Sequence, residues 1–256
     1  MNLKRKRLTY LTIVLGLVVL VAAGMTFKNE VILWTCISKL AEGASYNPLT
    51  GEATLDYTST EVLERDIRSS PLARVTVRNF PEWAGLLFSS PDILREYFLI
   101  PVPFKNQITV DYVVQLQIMD SSGSLSAVLF SSENGQTGWH VDFVTIRRLV
   151  ENELAKNYPP KEPKRRKSPN YWFKSHQVPM RIEVGPDRDP AYSSYLLMKV
   201  FYDYGNENKP SNVLRIRAGV SGYFGFSWNR VKFTLLKLKV TGVLDKQAAL
   251  TALKRY

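Results

Sequence analysis

A β-rich α+β fold is what this sequence predicts: an N-terminal transmembrane helix, then antiparallel sheet with a few packing helices. Three observations predict it. Leu8–Phe27 is a run of 20 residues without a charge, directly behind the basic cluster Lys4-Arg5-Lys6-Arg7. In Gln107–Ile118 every even position is apolar, the period-two signature of a strand with one wet face. Segments with helical spacing are short and are separated by Pro, Gly and Asn breakers.

The membrane segment comes first. A hydrocarbon core of roughly 30 Å takes about 20 residues of helix, and Leu8–Phe27 has that length with eleven Leu, Ile, Val or Phe residues. The basic residues 4–7 stay in the cytoplasm by the positive-inside rule, so the rest of the chain is exported. The predicted location is therefore the cell membrane, single-pass, with the N-terminus cytoplasmic and the bulk of the chain outside the cytoplasm. A cleavable signal peptide is the competing reading, because Val21-Ala22-Ala23 before Gly24 forms a small-residue cleavage site.

Beyond the span the chain divides into a juxtamembrane helix and linker (28–59), an α+β segment (60–157), a basic Pro-rich joint (158–175) and a β-rich segment (176–256). Lys28–Leu40 continues as helix. Thr60–Ser69 is a second helix, capped by Thr60, with Val62, Leu63 and Ile67 as its apolar face. Leu72–Arg78 alternates as a strand, Pro81–Phe88 is a short helix or turn, and Ile93–Ile100 reads as a helix ended by Pro101 and Pro103. Gln107–Ile118, Leu125–Ser131 and Trp139–Phe143 then form a three-stranded meander, with turns at Asp120–Gly123 and at Glu133-Asn134-Gly135. Ile146, Leu149, Val150 and Leu154 give a helix before Pro159.

Beyond the joint, strands are predicted at Met180–Val184, Ser194–Tyr204, Val213–Gly219, Tyr223–Trp228 and Val231–Val240. In the last of these the apolar phase flips between Leu235 and Leu236, as at a β-bulge. A helix capped by Asp245 closes the chain.

The order of helices and meander, together with the stretch ENGQTGWHVDF (Glu133–Phe143), resembles the NTF2-like (cystatin-like) fold. On a single-pass anchor, such a domain resembles the bitopic scaffold subunit of type IV secretion and conjugation channels. That resemblance implies a non-catalytic assembly role, with protein partners or a homo-oligomer. The alternative is a lipid or hydrophobic-ligand binder in which Ile108 to Ile118 line a pocket.

Chemistry is sparse. One cysteine, Cys36, excludes a disulfide framework and any Cys-rich metal site. Of the two histidines, His140 forms a His-x-Asp with Asp142 but is read as part of a solvated sheet face, and His176 as a surface residue. Gly219-Val220-Ser221-Gly222 lacks the spacing of a nucleophile elbow. Asp187 and Asp189 bracket Arg188, which reads as a turn and not a cation site. No catalytic, metal-binding or cofactor-binding residue is assigned.

The net charge is +11, and most of it lies in the Lys4–Arg7 cluster and the joint, so no nucleic-acid partner is expected. The candidate partner site is the joint itself: Lys161, Lys164, Arg165, Arg166, Lys167 and Lys174, with Trp172. Two readings of it stay open, a contact with anionic lipid headgroups, a wall polymer or an acidic partner, and a solvated linker.

Overall fold

The alternating stretch at Gln107–Ile118 is the middle of a far longer strand. The structure, a computed structural model, describes residue 24 and residues 27–58, 60–69, 73–74, 77–79, 86–89, 96–135, 137–142, 146–150, 153–158, 177–202 and 210–254. In chain order the elements are helix α1 (27–37), strands β1 (Ser45–Asn47) and β2 (Glu52–Tyr57), and helix α2 (Thr60–Ser69). Strands β3 (Ala73–Arg74), β4 (Val77–Asn79), β5 (Leu86–Ser89), β6 (Glu96–Ser131), β7 (Gly138–Val141), β8 (Ile146–Val150) and β9 (Glu153–Tyr158) follow. Then come β10 (Gln177–Pro186), β11 (Tyr195–Tyr202), β12 (Asn212–Arg217), β13 (Ser221–Leu244) and helix α3 (Lys246–Leu253).

All pairings are antiparallel, and the main path across the sheet is β1-β2-β13-β6-β10-β11-β12. The antiparallel, β-rich character with few helices is as the sequence predicts. The ribbon of β6 and β13 organises it. From Ile108↔Gly242 to Ser131↔Tyr223 the two strands pair with several register shifts, the ladder stepping from Met119↔Val231 to Ser124↔Asn229, while Glu96–Lys105 doubles back along the opposite edge of Ser221–Trp228. The ribbon bends where Arg230 adopts φ 50°. Bending brings Tyr112, from one half, edge-on to Phe226 of the other at 5.0 Å.

The inner face carries the period-two residues Ile108, Val110, Tyr112 and Val114, together with Val178, Met180, Ile182 and Val184 of β10. The outer face is polar. One row across five strands reads Phe201, Arg181, Asp111, Lys239, Asp56, with ion pairs at 2.6 Å (Arg181–Asp111) and 3.1 Å (Lys239–Asp56).

Several expectations are corrected. The NTF2-like reading fails because the first hairpin of its meander does not exist: Gln107–Ile118 and Leu125–Ser131 are one strand, paired along both parts with β13 from the end of the chain, while the second hairpin is present as β6 against β7 (Ala127↔Val141). Asp120–Gly123 has turn residues, but β13 carries the ladder past them. Val231 faces Met119, Asn229 faces Ser124, and the Asn229 Oδ1 accepts from both the N–H (3.0 Å) and the Oγ (2.7 Å) of Ser124. The helix read at 93–100 is strand from Glu96 onward, held between β13 and β3. The helix read at 146–154 is the β8–β9 hairpin, and pairing with β7 overrides its helical spacing.

The hydrophobic-ligand alternative fails with the meander, since Ile108, Val110, Tyr112 and Val114 belong to a filled core. The membrane span read at Leu8–Phe27 lies outside the described residues, apart from Gly24 and Phe27; no helix among the described residues is long and apolar enough to cross a membrane. Strands from both sides of the joint interleave in one sheet, β10 against β6 and β13 between β2 and β6.

Other readings hold. Helix α2 spans Thr60–Ser69 and buries Leu63. The ladder slips between Leu235 and Lys237, where the phase flip places the bulge. Asp245 caps α3, its Oδ1 accepting from the Ala248 N–H at 3.1 Å. Helix α1 is docked as well. Leu33 and Ile37 are fully buried, and Glu30 bonds Lys246 Nζ at 2.5 Å and the Tyr46 hydroxyl at 2.5 Å. Burial works against the Glu30 charge, yet these two bonds and the lysine's charge hold its carboxyl below the ordinary range.

Candidate functional site

A strand pairing that the sequence reading missed creates an open concavity among the described residues. Trp139 on β7 stands in register with Arg148 on β8, which places the guanidinium over the indole, Cζ 5.8 Å from the ring centroid. Beside this pair lies an open cleft of about 290 Å³, lined by Phe130, Thr137, Gly138, Leu149 and Val150 and by the β12–β13 connection Gly219-Val220-Ser221. Small-molecule sites start at roughly 300 Å³, so the cleft is sized for one compact ligand.

Its backbone is held in uncommon conformations. Phe130 has φ 52° and Gly138 φ 130°; a Cβ at Gly138 would meet the Leu129 carbonyl oxygen at 2.9 Å. On the opposite wall, Gly219 (φ 89°) donates its N–H to Asn106 Oδ1 at 2.7 Å, and the Asn106 N–H bonds the Val220 carbonyl at 3.0 Å. Asn106 itself sits at φ 59°, a region Asn tolerates better than Ala by its local hydrogen bonding. Asn106→Ala is expected to cost about 1–2 kcal/mol, while Asn106→Gly, which loses the bond but not the conformation, costs about 1 kcal/mol or less. Urea unfolding of both variants checks this; an Asn106→Ala protein as stable as wild type would show that Asn106 does not clamp this wall.

The polar groups of the lining are differently committed. Thr137 Oγ1 accepts the Ser132 N–H at 3.2 Å and keeps its proton to donate. Ser221 Oγ donates to Asp245 Oδ2 at 2.7 Å and keeps its lone pairs to accept. Burial disfavours the charge on Asp245, but the bonds from Ser221 and Ala248 and the nearby Lys105 hold its carboxyl below the ordinary value. Arg148 is exposed, and the Trp139 ring is its partner among the described residues. The apolar complement is Val150, 45% exposed, with half-buried Val220.

The other polar clusters are closed. His140 is fully buried, which corrects its reading as part of a solvated face. It stands in register with Arg147, whose Nη2 bonds Asp142 at 3.1 Å and Ser126 Oγ at 3.3 Å, so the carboxylate read as its orienting partner serves the arginine. Burial above all, with the Asp142 charge, raises the pKa of the Tyr112 hydroxyl.

Asp187 and Asp189 form no cation site. Arg215 bonds Asp187 at 2.6 Å, lies 3.8 Å from Asp189 and stacks on Tyr192 at 3.7 Å, and its hydrogen bond keeps the Asp187 carboxyl below the ordinary range. Among the described residues no group of His, Cys, Asp and Glu is placed to hold a metal. Cys36 is free and half-buried. The candidate contacts Lys161, Lys164, Arg165, Arg166, Lys167, Trp172 and Lys174 lie outside the described residues, as do Leu8 and His176.

No family model matches the chain, and no curated protein does. Among solved structures, the carbohydrate-binding module CBM66 from Bacillus subtilis aligns with a TM-score of 0.45 and 11% identity over 65% of this chain and 91% of its own. A Bacillus subtilis protein of unknown function with a galectin-like fold aligns at 0.42 and 15% identity, over 73% and 93%. Lectin I-B4 from Griffonia simplicifolia aligns at 0.41 and 10% identity, over 66% and 92%. None of these is described as an NTF2-like domain or a secretion-channel scaffold, so the expected assembly role and its protein, lipid or wall-polymer partners find no support there. At TM-scores below 0.5 the likeness assigns this chain neither a family nor a ligand.

Proposed function

We propose that the protein is a carbohydrate-binding module without catalytic activity, and that its binding site is the cleft beside Trp139 and Arg148. The complementary commitment of the lining hydrogen-bonding groups carries this reading. Thr137 is left a donor, Ser221 is left an acceptor and Arg148 offers a fork of N–H donors, all beside exposed Val150. A sugar ring presents the matching surface, hydroxyls that both donate and accept around an apolar C–H face. His140 is fully buried, so its imidazole is closed to a substrate.

The experiment is titration calorimetry of the full chain against a panel of soluble oligosaccharides, repeated with Val150→Glu. Val150 is exposed, so this change is expected to leave the melting temperature within a few degrees. It should weaken sugar binding about tenfold, or by about 1.4 kcal/mol. A panel with no binder at millimolar concentration overturns the reading, as does a binder indifferent to Val150→Glu.

A further inference from the structure

We infer that the carbohydrate this cleft takes is an acidic one, bearing a carboxylate, and that Arg148 is the residue that selects it. The inference rests on the carbohydrate reading of the cleft and adds the charge of the ligand.

The charge balance around the cleft points this way. Three described carboxylates of this region already have partners. Asp142 pairs with Arg147 at 3.1 Å, Asp245 accepts from Ser221 at 2.7 Å, and Glu133 accepts from the Tyr223 hydroxyl at 3.2 Å. Among the described residues Arg148 has no carboxylate partner. Its partner among the described residues is an aromatic face, which attracts a cation but leaves the edge N–H donors of the guanidinium unused. Arg147 and Arg148 point to opposite sides of β8: the first reaches inward to Asp142, the second lies exposed at the cleft. Across the β8–β9 ladder, Lys156 stands in register with Arg148 and is also exposed, so this edge presents two positive side chains next to each other.

The cation–π contact with the indole gives Arg148 its selectivity. A guanidinium laid over an indole has lost much of its rotamer freedom before any ligand arrives, so fewer degrees of freedom are frozen on binding. A planar carboxylate matches its fork with two parallel charge-assisted bonds, whereas a neutral hydroxyl matches it with one weaker bond. The same ring then bears on both the arginine and the ligand: without the indole the fork is unconstrained.

The test compares oligosaccharides of several uronic acids with their own methyl esters, which keep the sugar backbone and remove the charge. With the full chain, each acid that binds is expected to bind at least about tenfold tighter than its ester, and raising the salt concentration should narrow the gap. In Arg148→Gln the acid-to-ester ratio falls to near one. In Arg148→Lys, which keeps the charge but not the fork, it is intermediate. Equal affinity for acid and ester, or a preference that survives Arg148→Gln, overturns the inference and leaves the carbohydrate reading standing. Binding only to neutral sugars does the same. If no saccharide of either kind binds, the carbohydrate reading falls, and the inference with it.

Discussion

Gly225→Ala is expected to cost at least about 4 kcal/mol, the range reserved for changes that break a core feature. Gly225 lies in β13 where the strand is paired on both edges, with Leu99 on one side and Val128 on the other. A Cβ built there falls 1.9 Å from the Phe98 carbonyl oxygen and 2.8 Å from Leu99 Cα. Both are backbone atoms, so no side chain can swing aside; the returning segment of β6 must be pushed off the ladder. Gly185→Ala is the control. That glycine is in β10, nothing lies within 4 Å of its added Cβ, and the change should be neutral or stabilising by about 0.5–1 kcal/mol. Thermal and denaturant unfolding of the two proteins side by side reads the difference. A Gly225→Ala protein that melts with wild type would mean that β6 does not double back along β13.

Trp228→Ala is the second large effect, about 3–5 kcal/mol, from lost burial and the cavity left behind. The indole is fully buried next to the bend at Arg230 and meets Phe98 at 6.2 Å and Phe233 at 5.4 Å, both edge-on. Those two rings come from different sides of the ribbon: Phe98 from the returning segment of β6, Phe233 from β13 beyond the bend. The indole therefore pins the bend. A loss of this size lowers the melting temperature of a domain of 150–250 residues by about 2–4 °C per kcal/mol, and Trp228→Phe, which keeps an aromatic ring in place, should lose clearly less. Equal losses for Ala and Phe would argue against the ring contacts and for a specific role of the indole N–H.

The parts legible in the sequence were those where local chemistry and tertiary context agree. Thr60–Ser69 has an amphipathic pattern and folds as that helix. Asp245 caps α3 because its side chain reaches a backbone N–H three residues on, a contact that needs nothing from the rest of the chain. The slip at Leu235 to Lys237 was readable because a bulge shifts the apolar phase along a single strand.

Ile93–Ile100 and Ile146–Leu154 failed for the opposite reason. Their spacing suits a helix taken alone, but Phe98 and Ile146 are buried by strands that the sequence does not place beside them. The cleft was hidden by the same error. Once Arg148 is placed on a helix, nothing sets it opposite Trp139. A hairpin reading of 138–150 would have paired them, and the Trp139-to-Arg148 spacing around the turn was the available signal.

What the sequence determined by itself is the alphabet of the fold: β-rich and antiparallel, with alternating strands and short helices. These follow from periodicity, turn chemistry and composition, each a property of neighbours along the chain. What the tertiary structure decided is which strands meet. The pairing of β6 with β13 joins residues from 92 (Ser131↔Tyr223) to 140 (Phe104↔Leu244) positions apart and resumes on both sides of a turn sequence. It also closes the core and brings Asn106, Trp139, Arg148 and Ser221 to one cleft. Register between distant strands depends on the summed burial of whole faces, which no local window contains.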